Sequence, residues 1–313
     1  NYCVSESYEP GSTFKPVTVA SALEEGVVKD GDTYVCKGFE TVADYKLKCH
    51  VFSTIGSHGS LTVEQALMNS CNPYMIHLAL EMGNSRFAYY QSLFGFGKIT
   101  GIDLPGETTG IVYGDRMTTI DAACNSFGQT INVNMMQMMA AYCSIINGGM
   151  LYQPHIVKRI ESANGEVVKE YKANLVRQTI TASTSKLLRR YLKNTVEEGT
   201  AKKAGVTGYS VAGKTGTAQK GDRKDNKWII SFIGHAPAEN PKFAIYVVID
   251  EPYGTTGTSG SSADVLTLTH NILEKLLPYM NVYKDASDEY EDTSSSPDEL
   301  TVDGIPAGTA SSN

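Results

Sequence analysis

Ser12 and Lys15 stand three residues apart in Tyr8-Glu9-Pro10-Gly11-Ser12-Thr13-Phe14-Lys15-Pro16, where a turn runs into an apolar-periodic segment. At a helix start this spacing puts both side chains on one face, so the lysine amine is expected within reach of the serine hydroxyl. A serine is a weak nucleophile at its free pKa and gains reactivity from a neighbouring base. The chemistry suggested is attack of Ser12 on a carbonyl carbon, with Lys15 taking the proton. Alone the pattern is a weak signal, because a helix start capped by serine reads the same way.

Two companions follow in chain order. Ser70-Cys71-Asn72 lies between the helical runs Leu61–Asn69 and Tyr74–Met82. Thr62 and Gln65 read as a capping box for the first run. Pro73 disfavours helical geometry at Asn72 and suits the start of the second run. Ser70 and Asn72 are thus expected at a helix–helix junction facing a cleft. Lys214-Thr215-Gly216-Thr217 leads into Ala218-Gln219 and reads as a strand, whose glycine marks close approach of another backbone or a ligand.

In this order S-x-x-K, S-x-N and K-T-G are the signature of penicillin-recognising serine acyl-transferases. The chain resembles the transpeptidase domain of class B penicillin-binding proteins over nearly all of residues 1–283. Phe96-Gly97, Gly101-Ile102-Asp103-Leu104-Pro105-Gly106-Glu107, Phe127-Gly128-Gln129-Thr130, Asn147-Gly148-Gly149 and the run Trp228–Pro252 are similar to segments of that family. The resemblance implies an α+β fold: a five-stranded antiparallel sheet flanked by helices, an all-helical lobe, and the active site between them. It also implies roles. Ser12 would attack the D-Ala-D-Ala end of a peptidoglycan stem peptide, with Lys15 as base. Ser70 would relay a proton to the departing amine, and Asn72 would bind a substrate amide. Lys214 would supply positive potential, and Thr215, Gly216 and Thr217 would form the carboxylate-binding strand. The backbone N–H groups of Ser12 and Thr217 would make the oxyanion hole. An amine of a neighbouring stem peptide would accept the acyl group, β-lactams would inactivate the enzyme, and the chemistry requires no cofactor.

Other occupants of such a site are a D,D-carboxypeptidase, which uses water as acceptor, and a β-lactam sensor that acylates and stops. A class A β-lactamase needs a deacylating glutamate. The nearest matching string, Glu170-Tyr171-Lys172-Ala173-Asn174, has alanine for leucine and falls in an expected hairpin strand. His50, His58, His77, His155, His235 and His270 show no nucleophile-elbow partner.

The 313 residues suffice for one large or two ordinary domains. The net charge of −7 is carried by the tail: residues 285–313 hold eight acids and no base, and the remainder comes to +1. Residues 284–313, acidic and serine-rich, read as a disordered tail or linker behind a transpeptidase domain at 1–283. A near-neutral body without a basic, aromatic-interleaved patch argues against a nucleic-acid partner. There is no run of 18 apolar residues and no signal peptide. The resemblance nonetheless implies a membrane anchor and a pedestal domain upstream of Asn1, an extracytoplasmic location, and cell-wall synthesis partners such as a glycosyltransferase.

Helices are expected over Ser12–Glu25 (stopped at Gly26), Met135–Ile146, Ser185–Val196 and Asp264–Leu277. Val157–Ile160 with Val167–Tyr171, and Ile229–Gly234 with Phe243–Asp250, read as hairpins. Hairpins rather than βαβ crossovers argue for an antiparallel sheet. Residues 31–60 read as a loop holding Cys36, Cys49, His50, His58 and Asp44. Paired cysteines here resemble sporulation-type and related clostridial-like members of the family. Three states compete: a Cys36–Cys49 disulfide, contributing about 3 kcal/mol; a structural zinc held by Cys36, Cys49, His58 and Asp44 or His50; and free thiols. Cys3, Cys71, Cys124 and Cys143 read as single buried or structural residues.

Overall fold

The computed structural model describes residues 1–221, 227–252 and 261–285. Most of the expected tail, 286–313, lies outside the described residues. After the short helix α1 (Tyr2–Ser5), the chain makes a 3-10 turn at Gly11–Phe14 and enters α2 (Lys15–Glu25). The expected helix from Ser12 therefore starts as a tighter turn that hands over to α-geometry at Lys15. Pro16 fits α2's first turn, where its missing N–H has no partner to lose. Gly26 closes α2 in the left-handed conformation at φ +76°. Val17, Thr18, Val19, Ala20, Ser21 and Ala22 are all buried, so α2 is enclosed on every face.

Residues 31–60 are not a plain loop. They carry β1 (Thr33–Cys36), β2 (Phe39–Val42), β3 (Tyr45–Lys48) and the start of β4 (Gly59–Thr62). β2 and β3 form a hairpin, and β1 pairs antiparallel with β4. Strands of four residues are too short for their alternation to stand out in sequence. The helical lobe follows: α3 (Val63–Met68), α4 (Asn72–Met82), α5 (Asn84–Leu93), α6 (Thr119–Asn125) and α7 (Met135–Ile146). The Thr62–Gln65 capping box forms as read. Next come β5 (Met150–Gln153), β6 (Arg159–Glu161), β7 (Val167–Glu170) and β8 (Asn174–Gln178), then α8 (Ala182–Glu197). β6 and β7 form the hairpin signalled by Asn164-Gly165, and β5 pairs with β8.

The central sheet orders β11 (Phe243–Asp250), β10 (Lys227–Ala236) and β9 (Ala212–Lys220), all antiparallel. Among the described residues it counts three strands where the resemblance implied five. The residues ahead of Ser12 instead give α1 and an isolated bridge between Tyr8 and Val133. α9 (Ala263–Tyr279) packs on the sheet through Val265, Leu266, Leu273 and Leu277. One core fills the helical lobe around α2, α4 and α7, and a second lies between the sheet and α9. β9, with a strand neighbour on one side only, presents its other side to the turn carrying Ser12.

Candidate active site

Two glycine contacts set the distance between nucleophile and sheet. Gly11 has φ +55°, and a Cβ there would fall 2.5 Å from the carbonyl oxygen of Thr217. A Cβ on Gly216 would fall 2.8 Å from Thr13 Cγ2 and 2.9 Å from Pro10 O. Both positions exclude any side chain, so the turn and β9 lie backbone against backbone. A cleft of about 440 Å³ opens there, bordered by Ser12, Ser70, Asn72, Thr215 and Thr217. Five of the eight residues expected to do chemistry or bind substrate line one space.

Lys15 lies beneath that cleft with no exposed surface. Its ammonium donates to Ser70 O at 2.7 Å, Ser70 Oγ at 3.0 Å and Asn72 Oδ1 at 2.7 Å, which accounts for all three donors. The expected Lys15–Ser12 hydrogen bond is not formed: Ser70 and Asn72 take the amine. Burial pulls the Lys15 pKa down to about 8, opposed by the Cys49 and Cys71 thiols nearby. Lys214 is also fully buried, and it is held well below the ordinary lysine range by burial and then by the charge of Lys15. Its Nζ donates to Thr215 O at 3.2 Å and Thr215 Oγ1 at 3.3 Å, and Thr215 Oγ1 reaches Thr200 Oγ1 at 3.4 Å. Ser70 sits at the α3–α4 junction with φ +55°, a left-handed backbone that turns its hydroxyl toward Lys15. Asn72 is held at both ends, since its Nδ2 donates to Lys48 O at 3.3 Å.

Thr200, Gln129 and Trp228 also border the cleft and were not among the expected site residues, and His50, read only as a possible zinc ligand, borders it too. Gln129 had a signal in the Phe127–Thr130 segment. Thr200 had none, because it comes to the site only through packing of the α8–β9 connection. Glu170, at the head of the string nearest to that of a deacylating glutamate, is exposed on β7 and does not border the cleft. His235 is a core residue, hydrogen-bonded with Tyr142 Oη at 2.8 Å and Ala238 O at 3.1 Å.

Of the three states read for the cysteine loop, the disulfide is not formed, since Cys36 and Cys49 are free. The loop departs from its reading in two ways. Asp44 is exposed in the turn between β2 and β3. Cys36 and Cys49 flank the base of that hairpin, about 13 Å away at strand spacing, so Asp44 does not join them. The fourth member is Cys71, read as a single structural residue. The donor atoms of Cys36, Cys49, His58 and Cys71 all lie within 4.8 Å of one another. His58 Nδ1 stands 3.8 Å from Cys36 Sγ and 3.5 Å from Cys49 Sγ. A tetrahedral zinc with ordinary Zn–S and Zn–N bonds separates sulfur from nitrogen by about 3.6 Å. The Cys71 thiol, with the His50 and His58 imidazoles, holds Cys49 toward the thiolate, and Cys71 is pushed up as the donor.

Comparison with known proteins agrees with this geometry. The model of the family described as penicillin binding protein transpeptidase domain matches residues 1–274. Stage V sporulation protein D of Bacillus subtilis is 41% identical over 90% of this chain and 44% of its own length. Peptidoglycan D,D-transpeptidase FtsI of Escherichia coli is 32% identical over 91% of this chain and 46% of its own length. The chain thus spans less than half the length of these curated relatives. Penicillin binding protein 3 from Mycobacterium tuberculosis, solved in complex with aztreonam, superimposes with a TM-score of 0.82 at 29% identity, covering 91% of this chain and 65% of that one. The chain belongs to the penicillin-binding protein transpeptidase family, as a class B member.

Proposed function

We propose that the chain is the catalytic domain of a peptidoglycan D,D-transpeptidase that crosslinks stem peptides through an acyl-enzyme on Ser12. The observation that carries this is the buried Lys15 amine joined to Ser70 and Asn72 beside a cleft that also holds Ser12 and Thr217. Neutral Lys15 has two N–H donors and a lone pair. The two shorter bonds, to Ser70 O and Asn72 Oδ1, can keep the donors, which leaves the lone pair for a proton from Ser12 or from the Ser70 hydroxyl. Ser12 then attacks the penultimate D-Ala carbonyl. The oxyanion forms between the N–H groups of Ser12 and Thr217, each worth about 3–4 kcal/mol in such holes. Ser70 stands between Lys15 and the cleft and passes the proton to the leaving D-Ala amine. Lys214, beneath Thr215, is pushed toward its neutral form by burial, and the arriving substrate carboxylate, held by Thr215 and Thr217, would favour its ammonium, with Gly216 keeping the strand close.

Cys36, Cys49, His58 and Cys71 fit a structural zinc: three sulfurs and one imidazole nitrogen lie within 4.8 Å of one another, a donor set that zinc takes. When bound, the ion would tie β1, the β3 end and the S-x-N junction together, and it takes no part in acyl transfer. Membrane anchoring, an extracytoplasmic site of action and a glycosyltransferase partner belong to the same reading, and the class B kinship supports them. No described helix is long and apolar enough to cross a membrane.

The test is intact mass after incubation with a penicillin, followed by peptide mapping. One adduct on the Ser12 peptide, persistent for many minutes and absent in Ser12→Ala, is expected. An adduct elsewhere refutes the nucleophile, and rapid turnover of penicillin moves the reading to β-lactamase. A D-Ala-D-Ala donor offered with and without an acceptor amine then separates the remaining readings. Crosslinked product marks a transpeptidase, hydrolysis alone a carboxypeptidase, and acylation without turnover a sensor.

A further inference from the structure

Two backbones press on the turn that carries Ser12, and β9 is only one of them. The other is the loop 126–130 that follows α6. Gly11 N donates to Gly128 O at 2.9 Å, Thr18 Oγ1 of α2 donates to Ser126 O at 2.8 Å, and Thr130 N donates to Glu9 Oε1 at 2.8 Å. Gly128 lies so close that a Cβ there would collide with Gly11 O. Gly11 C=O and Ser12 N–H belong to one planar trans peptide and point in opposite directions. Packing that carbonyl against Gly128 therefore aims the Ser12 N–H away from the loop.

The loop is itself held from behind. Asn125, at the end of α6, is fully buried, and Gln91 of α5 is 2% exposed. Asn125 Nδ2 donates to Gln129 O at 3.1 Å and to Thr130 Oγ1 at 2.9 Å. Both its protons are then committed, and Asn125 Oδ1 accepts from Gln91 Nε2 at 3.1 Å. Gln91 Oε1 has no hydrogen-bond partner among the described residues. A pair that served packing alone could be apolar and leave no buried oxygen unpaired. Thr130 has φ +58°, a left-handed backbone that a β-branched residue adopts only where its surroundings impose it. Here Asn125 holds its hydroxyl and Glu9 its N–H. Gln129, between Gly128 and Thr130, borders the cleft.

We propose that Gln91 and Asn125 are positioning residues for acylation: their amide relay fixes the loop 126–130, and the loop aims the Ser12 N–H at the oxyanion. The proposal rests on the acyl-enzyme reading of Ser12. Neither residue borders the cleft, so the relay acts through Gly128 and Thr130. An N–H that meets its acceptor fully only as the carbonyl turns tetrahedral lowers the barrier and leaves ground-state binding alone. The relay therefore sets the rate of acylation and not the affinity for the intact β-lactam.

Stopped-flow acylation by penicillin separates the two, as a limiting rate and the Kd of the non-covalent complex. Gln91→Met, close in shape and unable to donate, should lower the limiting rate by about tenfold, the scale of one buried hydrogen bond, with Kd within about twofold. Thr130→Gly relieves the left-handed strain and so keeps the fold, but it gives up the Asn125 anchor, and its limiting rate should fall likewise. Glu9→Ala withdraws the other support of Thr130, so combining it with Gln91→Met should cost less than the product of the two single losses. A wild-type limiting rate in either Gln91→Met or Thr130→Gly, rate and affinity falling together, or fully multiplicative losses would overturn the relay. Wild-type protein that is not acylated on Ser12 overturns the acyl-enzyme reading and the relay with it.

Discussion

The sharpest consequence of the site is a pH profile. Lys15 must be neutral to accept a proton, and burial places its pKa at about 8. At pH 7 the neutral fraction is then about one in eleven, against about one in three thousand for a lysine at its ordinary value. Burial therefore raises the population of competent base by about 300-fold at neutral pH. The sign follows from the direction of the shift: protonation inhibits, so the rate climbs with pH and levels off once Lys15 is neutral. The second-order rate of penicillin acylation, followed by stopped-flow fluorescence from pH 6 to 9.5, should rise by about ninefold between pH 6 and 7 and flatten above pH 8. Lys15→Arg, whose guanidinium stays charged, should lose roughly a hundredfold to ten-thousandfold at every pH. A flat wild-type profile, or one still climbing steeply at pH 9.5, would refute Lys15 as the titrating base.

Further outcomes can be checked alongside. Gly216→Ala drives a methyl into Thr13 and Pro10, so penicillin acylation should fall by about a hundredfold or more as the oxyanion strand is pushed away; a wild-type rate would show that the strand tolerates the shift. Metal analysis should find one zinc per chain, and a strong chelator should lower the melting temperature; full stability in metal-free protein would remove the zinc assignment. Cys36→Ser should cost as much stability as Cys36→Ser with Cys49→Ser, because either breaks the same cluster; additive losses would separate the two residues. Truncation after Asp285 should leave acylation within about twofold and stability within about 0.5 kcal/mol, the usual range for surface changes; a larger loss of either would mean that the tail docks on the body.

The components of the candidate site were legible in the sequence because they are local. Ser12 and Lys15, Ser70 and Asn72, and Lys214 through Thr217 each occupy a few consecutive residues whose turn, junction or strand setting can be read from Pro73, Gly216 and the Thr62–Gln65 cap. How those parts meet was not legible. Lys15 reaches across 55 residues to Ser70 rather than three to Ser12, a choice made by α2 packing against the α3–α4 junction. Spacing fixes which side chains share a helix face, but it carries no information on which neighbour a buried amine prefers. Cys71 was obscured for the same reason. A ligand set drawn from β1, the end of β3, the start of β4 and a helix junction has no sequence period, whereas Asp44, nearer in the chain, is carried off by the hairpin tip.

The two groups of residues are nevertheless one structure. Cys71 lies between Ser70 and Asn72, the two residues whose oxygens hold the Lys15 amine. Cys49 follows Lys48, whose carbonyl accepts from the other end of Asn72. Asn72 is therefore gripped by Lys15 on one side and by the hairpin on the other, and the cysteine cluster joins the hairpin to the junction beside it. Loosening the cluster removes no catalytic atom, but it frees the hairpin edge that keeps Asn72 turned toward Lys15. Disruption of the loop should then slow acylation at temperatures where the core between the sheet and α9 remains folded, because that core takes no residue from 31–60. Loss of acylation only at global unfolding would show instead that the helical core alone holds the site in register.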